Sequence, residues 1–418
     1  MVQKAYKILG NDVNNQLINL RQITFEVTDA CNLKCKYCGL GELYDGYDAR
    51  EDKYLPIEKA KKIIDYLVEL WQDSSPDKFY HSIALSFYGG EPLLNIEFIK
   101  EIISYAEQRI LNRELHYSIT TNAMLLNKYM DFLVDKKFRI LISLDGDEQA
   151  HSYRVDHSGR NSFERVFSNV KLLKDAYPEY FEEFVNFNSV FTNRSEVERI
   201  HKFINNNFGK ISTIVELNNS GIKEDKIAEY ELIRNSVFES IDKSECYENL
   251  SEQMFLSDPH IDVLSKYIQR MSGNFFMDYN NLLFDSEKFA KVSTGTCLPF
   301  QKKMFVTVNG KIIQCERIDH KYALGEVTDE GVKLDFEEIA NRFNERIESI
   351  QHLCKLCAGE KVCSQCIYYI DNLGQKNIKC NGFMNKERFE EYKQSNTNYL
   401  RRFPHLYKKL MEDVLIDF

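Results

Sequence analysis

The sequence lacks any apolar stretch approaching the ~18 residues that a membrane span needs. Its first residues, MVQKAYKILGNDVNNQL, lack the continuous apolar core of an export signal. A cytoplasmic chain without a membrane partner is therefore expected. There is no excess of positive charge either: 54 Lys and Arg stand against 64 Asp and Glu, a formal net charge of −10. Such a chain gains no general attraction to phosphate backbones, so nucleic acid is not an expected partner, although a local basic groove stays compatible with that charge. Internal repeats and low-complexity segments are missing, and the nine histidines show no ligand spacing. Disorder is excluded by composition, with 43% hydrophobic and 28% charged residues. The 418 residues allow two or three domains, or one α/β barrel with an extension.

What the chain does have is cysteine. There are 11, an odd number. In a reducing compartment they are better read as metal-binding or redox groups than as a disulfide framework. Cys31, Cys35 and Cys38 form one group near the start, and Cys297, Cys315, Cys354, Cys357, Cys363, Cys366 and Cys380 form a second near the end. Only Cys246 stands between them. The chain thus reads in parts: an N-terminal segment 1–22, a core 23–245, a bridging region 246–296, a cysteine-rich extension 297–383 and a charged helical tail 384–418.

The core alternates strands and helices. Apolar runs at 23–29, 82–88, 115–121, 139–144, 184–191 and 211–217 predict strands. Helical spacing predicts helices over 56–71, 95–112, 127–137, 163–176 and 195–207. About six such units imply parallel strands with right-handed crossovers. Six is fewer than the eight of a closed barrel, so a partial barrel fits, and a doubly wound sheet fits nearly as well. In both, a ligand sits beyond the carboxyl ends of the strands. The unusual residues cluster there: Cys31, then Gly89-Gly90-Glu91-Pro92, Thr121-Asn122 and Ser143-Leu144-Asp145-Gly146. In the extension, Asn309-Gly310 between 304–308 and 311–314 predicts a β-hairpin.

Cys31-x3-Cys35-x2-Cys38 puts three thiolates on one loop. Three thiolates leave a tetrahedral zinc site or a four-iron cluster one ligand short. Taken alone, the loop suits either a zinc site completed by a distant residue or a cluster with one open iron. Its context is more specific. CNLKCKYC, GGEPLL, SLDG at 143–146 and HSYR at 151–154 occur in order, and together they resemble the radical S-adenosylmethionine (SAM) superfamily over about residues 20–245. The resemblance implies an α/β fold with a partial (β/α)6 barrel. It implies a [4Fe–4S] cluster on Cys31, Cys35 and Cys38 whose open iron chelates SAM. It also implies cofactor-binding roles for Tyr37 at the adenine, Gly89, Gly90, Glu91 and Pro92 at the SAM ammonium, and Ser143 and Arg154 at the ribose and carboxylate. Arg suits a carboxylate because its fork matches it bidentately. Read alone, Arg154 also suits a surface ion pair.

The later cysteines resemble the SPASM extension found behind such cores: a β-hairpin plus iron–sulfur loops holding two auxiliary [4Fe–4S] clusters. The resemblance assigns Cys354, Cys357, Cys363 and Cys380 to the outer cluster. Cys297, Cys315 and Cys366 go to the inner one, leaving one iron without a cysteine. The Cys363–Cys366 and Cys366–Cys380 spacings are shorter than the family's, which puts the division between clusters in doubt. Two full cubanes need about eight thiolates and seven are present. The open iron suits a substrate thiolate, a water, a carboxylate or Cys246. Two CxxC pairs alone would also suit zinc. Glu316, beside Cys315, is expected to pair with Arg317 or Lys311 or to face the active cavity.

The resemblance implies an oxidoreductase that modifies a ribosomal precursor peptide through a 5′-deoxyadenosyl radical and installs a thioether or C–C crosslink. Flavodoxin or ferredoxin is the implied reductant. The sulfatase-maturating (formylglycine-generating) branch shares both parts and is the alternative. Only 30 residues precede Cys31, so leader recognition is expected to use the core, the tail or a separate protein.

Overall fold

The computed structural model describes residues 7–72, 81–245, 247–254, 258–271, 294–370, 372–373, 375 and 378–413. Cys246 lies outside them. The chain divides into two compact units. The core unit comprises residues 11–254 and 298–339, and the cysteine unit comprises residues 1–10, 255–297 and 340–418.

The core unit is built on one ten-stranded sheet. Its strands are β1 (Gln22–Thr28), β2 (Ser82–Gly89), β3 (Glu114–Thr121), β4 (Arg139–Ser143), β5 (Val185–Val190), β6 (Ser212–Val215), β7 (Met304–Val306), β8 (Lys311–Ile313), β9 (Gly325–Val327) and β10 (Val332–Lys333). The spatial order is β10-β9-β8-β7-β1-β2-β3-β4-β5-β6. Strands β1 to β6 are parallel throughout. The predicted hairpin forms at Asn309-Gly310, where Gly310 takes φ +85°, and β7 adds to β1 in parallel. The hairpin of the cysteine-rich segment is therefore part of the core sheet.

The two faces of the sheet differ. Ile23, Phe25, Val27, Ile83, Leu85, Phe87, Ile140, Ile142, Val185 and Phe187 point to one face and are almost fully buried. Helices Ile57–Gln72 and Ile96–Arg109 bring Ile63, Ile64, Leu67, Ile99 and Ile102, also buried. Phe98 meets Phe25 edge-on at 6.2 Å. Each such side chain contributes roughly 1.5–3 kcal/mol of burial. The other face carries Gln22, Thr24, Glu26, Ser86, Tyr88, Ser118 and Thr120. Gln22 donates to Ser86 Oγ at 2.7 Å, and Ser86 and Ser118 share a 2.5 Å hydrogen bond. A doubly wound parallel sheet needs apolar residues on both faces. This alternation instead fits a sheet covered by helices on one side, as in a partial barrel. Helices Gly10–Ile18 and Pro178–Phe184 and strands β9 and β10 were not expected.

In the cysteine unit, Ile8 exchanges two backbone hydrogen bonds with the Asn344 amide on helix Phe336–Cys354. Helices Pro259–Met271, Lys386–Arg402 and His405–Asp413 realise the expected helical tail and part of the bridging region. Ile261, Leu264, Ile268, Leu406 and Leu410 form their core. Among the described residues no helix is long and apolar enough to cross a membrane.

Candidate active site

The carboxyl ends of β1 to β5 bring the four sequence motifs together. The cysteine loop leaves β1 and is held mainly by the backbone of residues 153–155: Lys34 N donates to Val155 O and Lys36 N to Tyr153 O, while Cys38 N donates to Cys35 O within the loop. The three sulfurs influence one another's charge, and burial pushes the Cys31 thiol up to about 11 and the Cys35 thiol up to about 12. Buried thiols of this kind become thiolates only if a cation balances them. Three half-buried cysteines on one loop, within electrostatic reach of one another, are the donor set of a [4Fe–4S] cluster with one open iron. The residues present fit that group.

Gly89 and Gly90 have a requirement of their own. A Cβ on Gly90 would lie 2.0 Å from Ala30 O and 2.8 Å from Asp29 O, and one on Gly89 would lie 2.3 Å from Thr28 O. Gly89 also takes φ +126°. The end of β2 thus touches the stem of the cysteine loop backbone to backbone, which only glycine permits. Gly90 N and Glu91 N donate to Thr28 O and Ala30 O there. Pro92 starts a short 3₁₀ turn, and Glu91 caps it through Leu93 N.

Glu91 is fully buried. Its Oε1 accepts from Leu93 N and Thr121 Oγ1, and its Oε2 accepts from Asn122 N at 2.8 Å. Burial lifts its pKa to about 7 against these three donors. The side chain expected near the SAM ammonium is a clasp between the ends of β2 and β3.

Arg154 is buried, so the surface ion pair considered from sequence is a buried one. Its Nε and Nη2 form a fork on Asp145 at 3.0 and 2.9 Å. Asp145 also accepts from Tyr37 OH and from Val190 N, so its carboxylate receives four donors with no exposure to solvent. The guanidinium lies 5.4 Å from the Tyr37 ring centre, and Tyr153 meets Tyr37 edge-on. Burial opposes the Arg154 charge most strongly, but Asp145, Tyr37 and Cys35 together outweigh it and raise the pKa. Burial lowers His151 to about 4, so its ring is neutral. Its Nδ1 accepts from Asp145 N, and its Nε2 shares a hydrogen bond with Ser162. Ser143 is buried at the end of β4. Asp145 and His151 lie within SLDG and HSYR, and the signal available there is an acid, Asp145, nine residues before a base, Arg154; His151 meets Asp145 only at its backbone N–H.

Cys315 lies in the core unit just past β8. Burial pushes its thiol up to about 11, and Arg317 N donates to its sulfur at 3.5 Å. Glu316 pairs with Lys303 at 3.0 Å, rather than with Arg317 or Lys311 as expected. Lys311 pairs with Asp48 instead.

In the cysteine unit, Cys354, Cys357, Cys363 and Cys380 line one partly open cavity, together with Ile350 and Phe383. Met384 N donates to Cys357 Sγ at 3.3 Å. In the same unit, burial pushes the Cys366 thiol up, and the neighbouring Cys297 adds to that. Gly295 seats them: its Cβ would lie 2.5 Å from Ser364 C, and Ile367 N donates to Thr296 Oγ1.

The radical SAM superfamily model matches residues 25–204. A cysteine-type anaerobic sulfatase-maturating enzyme of Clostridium novyi is 32% identical over 41% of this chain and 44% of its own length. The radical SAM cyclopropyl synthase TigE of Paramaledivibacter caminithermalis is 24% identical over 49% of this chain and 43% of its own length. The chain therefore spans less than half of each of these relatives. The solved structure of native anSMEcpe with bound AdoMet and Cp18Cys peptide superposes with a TM-score of 0.58 and 19% identity, covering 93% of this chain and 98% of that one. That likeness shows the fold.

Proposed function

Because residues 25–204 carry a radical SAM domain, we propose that this protein is a peptide-modifying radical SAM enzyme. When bound, a [4Fe–4S] cluster and SAM supply hydrogen-atom abstraction, and the protein positions and shields that chemistry. Cys31, Cys35 and Cys38 hold the cluster, and Gly89 and Gly90 leave room for close backbone approach beside it. The observation that carries the reading is the polar second face of the sheet. Hydroxyl and amide side chains line it, and all four motifs gather at its carboxyl end. Such a lining offers a peptide backbone donors and acceptors without demanding a charged partner. The product is a thioether or C–C crosslink in a ribosomally made peptide.

The second thiol set supports an oxidative outcome. Cys354, Cys357, Cys363 and Cys380 around one cavity suit an auxiliary [4Fe–4S] cluster, and Cys297 and Cys366 of the same unit offer thiols for a second. These give a removed electron a route out. A flavodoxin or ferredoxin is the reductant. Formylglycine generation is the second reading, favoured by the sulfatase-maturating relative and the peptide-bound structural neighbour.

The test is anaerobic incubation of the reconstituted enzyme with SAM, dithionite and two peptides. One is a small Cys-containing peptide with candidate acceptor carbons near its thiol, and the other is a sulfatase fragment. Loss of two hydrogens with the sulfur retained supports the crosslinking reading. Loss of the sulfur supports formylglycine formation. SAM cleavage without a mass change in either peptide overturns the peptide-modifying reading.

A further inference from the structure

The Asn122 side chain reaches the cysteine loop. It lies at the carboxyl end of β3 and is almost fully buried. Its Nδ2 donates to Cys31 Sγ at 3.7 Å and to Asn32 Oδ1 at 2.7 Å. Amide oxygen and nitrogen are told apart by their partners. Here Asn122 Oδ1 accepts from Met124 N at 3.0 Å, and a backbone N–H can only donate. The nitrogen must therefore face the sulfur.

The surrounding turn fixes this orientation. Asn122 N is held by Glu91, and the next residue, Ala123, sits in the left-handed region at φ +60°. A non-glycine residue persists there only when its surroundings hold it. Asn169 does so by donating to Ala123 O and Met124 O, and Ala123 N donates to Thr121 Oγ1. Cys31 also accepts from Leu33 N at 3.4 Å, and its carbonyl meets His157 Nε2 at 2.8 Å. No other side chain donates to a sulfur of this loop among the hydrogen bonds of the described residues.

We propose that Asn122 is a positioning residue that raises the reduction potential of the core cluster through an N–H···S hydrogen bond to Cys31, with Glu91 holding Asn122 in place. The inference rests on the reading that Cys31 ligates a cluster. Hydrogen bonds to the sulfurs are among the factors that set such potentials. Reduction adds negative charge that spreads onto the ligand sulfurs. A fixed donor stabilises that form, and it does so more strongly where water is excluded. The Glu91 carboxylate is thereby linked to the cluster through the peptide N–H and the side chain of one residue.

The test is a potentiometric titration of the full-length, iron-loaded protein without SAM, followed by electron paramagnetic resonance of the core cluster. Cys-to-Ala changes at Cys297, Cys357, Cys363 and Cys366 remove the overlapping signals of both auxiliary clusters. Asn122→Leu keeps the volume and removes the donor. It is expected to shift the reduced-to-oxidised ratio about tenfold toward oxidised at a fixed potential, which is ~59 mV for one electron. Asn122→Asp places a carboxylate at the sulfur and is expected to shift it further in the same direction. Asn122→Ser is too short to reach and should match Asn122→Leu, so it serves if Asn122→Leu does not fold. Unchanged potentials in variants that keep their iron overturn the proposal. Absence of core-cluster iron from the unmutated protein, or its retention after Cys31→Ala, overturns the underlying reading instead.

Discussion

Asp145 and Arg154 give the sharpest test of how the core site is held. Asp145→Ala removes a carboxylate that receives two donors from Arg154, one from Tyr37 and one from Val190. Arg154 is left as a buried charge without its partner. Breaking a buried pair from one side costs ~3–5 kcal/mol, whereas an exposed pair contributes ~0–1. The Tyr37 hydroxyl, also buried, adds a share of ~1–3 kcal/mol for an unmade hydrogen bond. The expected destabilisation is thus at least ~3 kcal/mol. Urea unfolding of the metal-free protein, followed by circular dichroism, measures it. The double variant Asp145→Leu with Arg154→Met removes both charges and should be more stable than Asp145→Ala alone. A single-variant loss below ~1 kcal/mol, or a double variant worse than both singles, would refute the reasoning.

Glu26 is buried on β1 and accepts from Val308 N, and burial lifts its pKa from 4.5 to about 7. A carboxyl group with a raised folded-state pKa favours the folded state below pH 4.5 and loses that contribution as pH rises to about 7. Glu26→Gln, which keeps an acceptor for Val308, should therefore flatten the stability–pH curve between those values, and an unchanged slope would count against it. Gly90→Ala forces a methyl against Ala30 O at 2.0 Å, an overpacking cost of ~1–3 kcal/mol or more. Iron analysis should show loss of the core cluster with the other iron retained. Gly295→Ala, 2.5 Å from Ser364 C, should do the reverse, and loss of the same iron in both variants would contradict the two-site assignment.

The strands and helices of the core were legible because their apolar periods are strong. The predicted strand at 82–88 is observed at Ser82–Gly89, and the predicted helix at 163–176 is Phe163–Ala176. The helix Pro178–Phe184 was missed because seven residues carry too little period, and aromatic packing of Phe181 on Phe187 and Phe208 settles it. Strands β9 and β10 are two or three residues long and exist by pairing. The motif positions were visible, but their partners were not. Glu91 meets Asn122 from 31 residues away, and Tyr37 meets Asp145 from 108. Such contacts are set by which strand ends lie side by side. The same holds for Glu316, whose partner Lys303 comes from the residue before β7. Residues inside one loop, such as Cys31, Cys35 and Cys38, needed no such knowledge.

The proposed function requires a core cluster and two further ones. Counting iron and sulfide per chain after anaerobic reconstitution tests it most directly. Three cubanes predict about 12 of each, falling by about four in Cys31→Ala. About four of each, with zinc in place of the remainder, would contradict the account. The second cysteine set would then be a structural zinc site, and the proposed electron route would be gone.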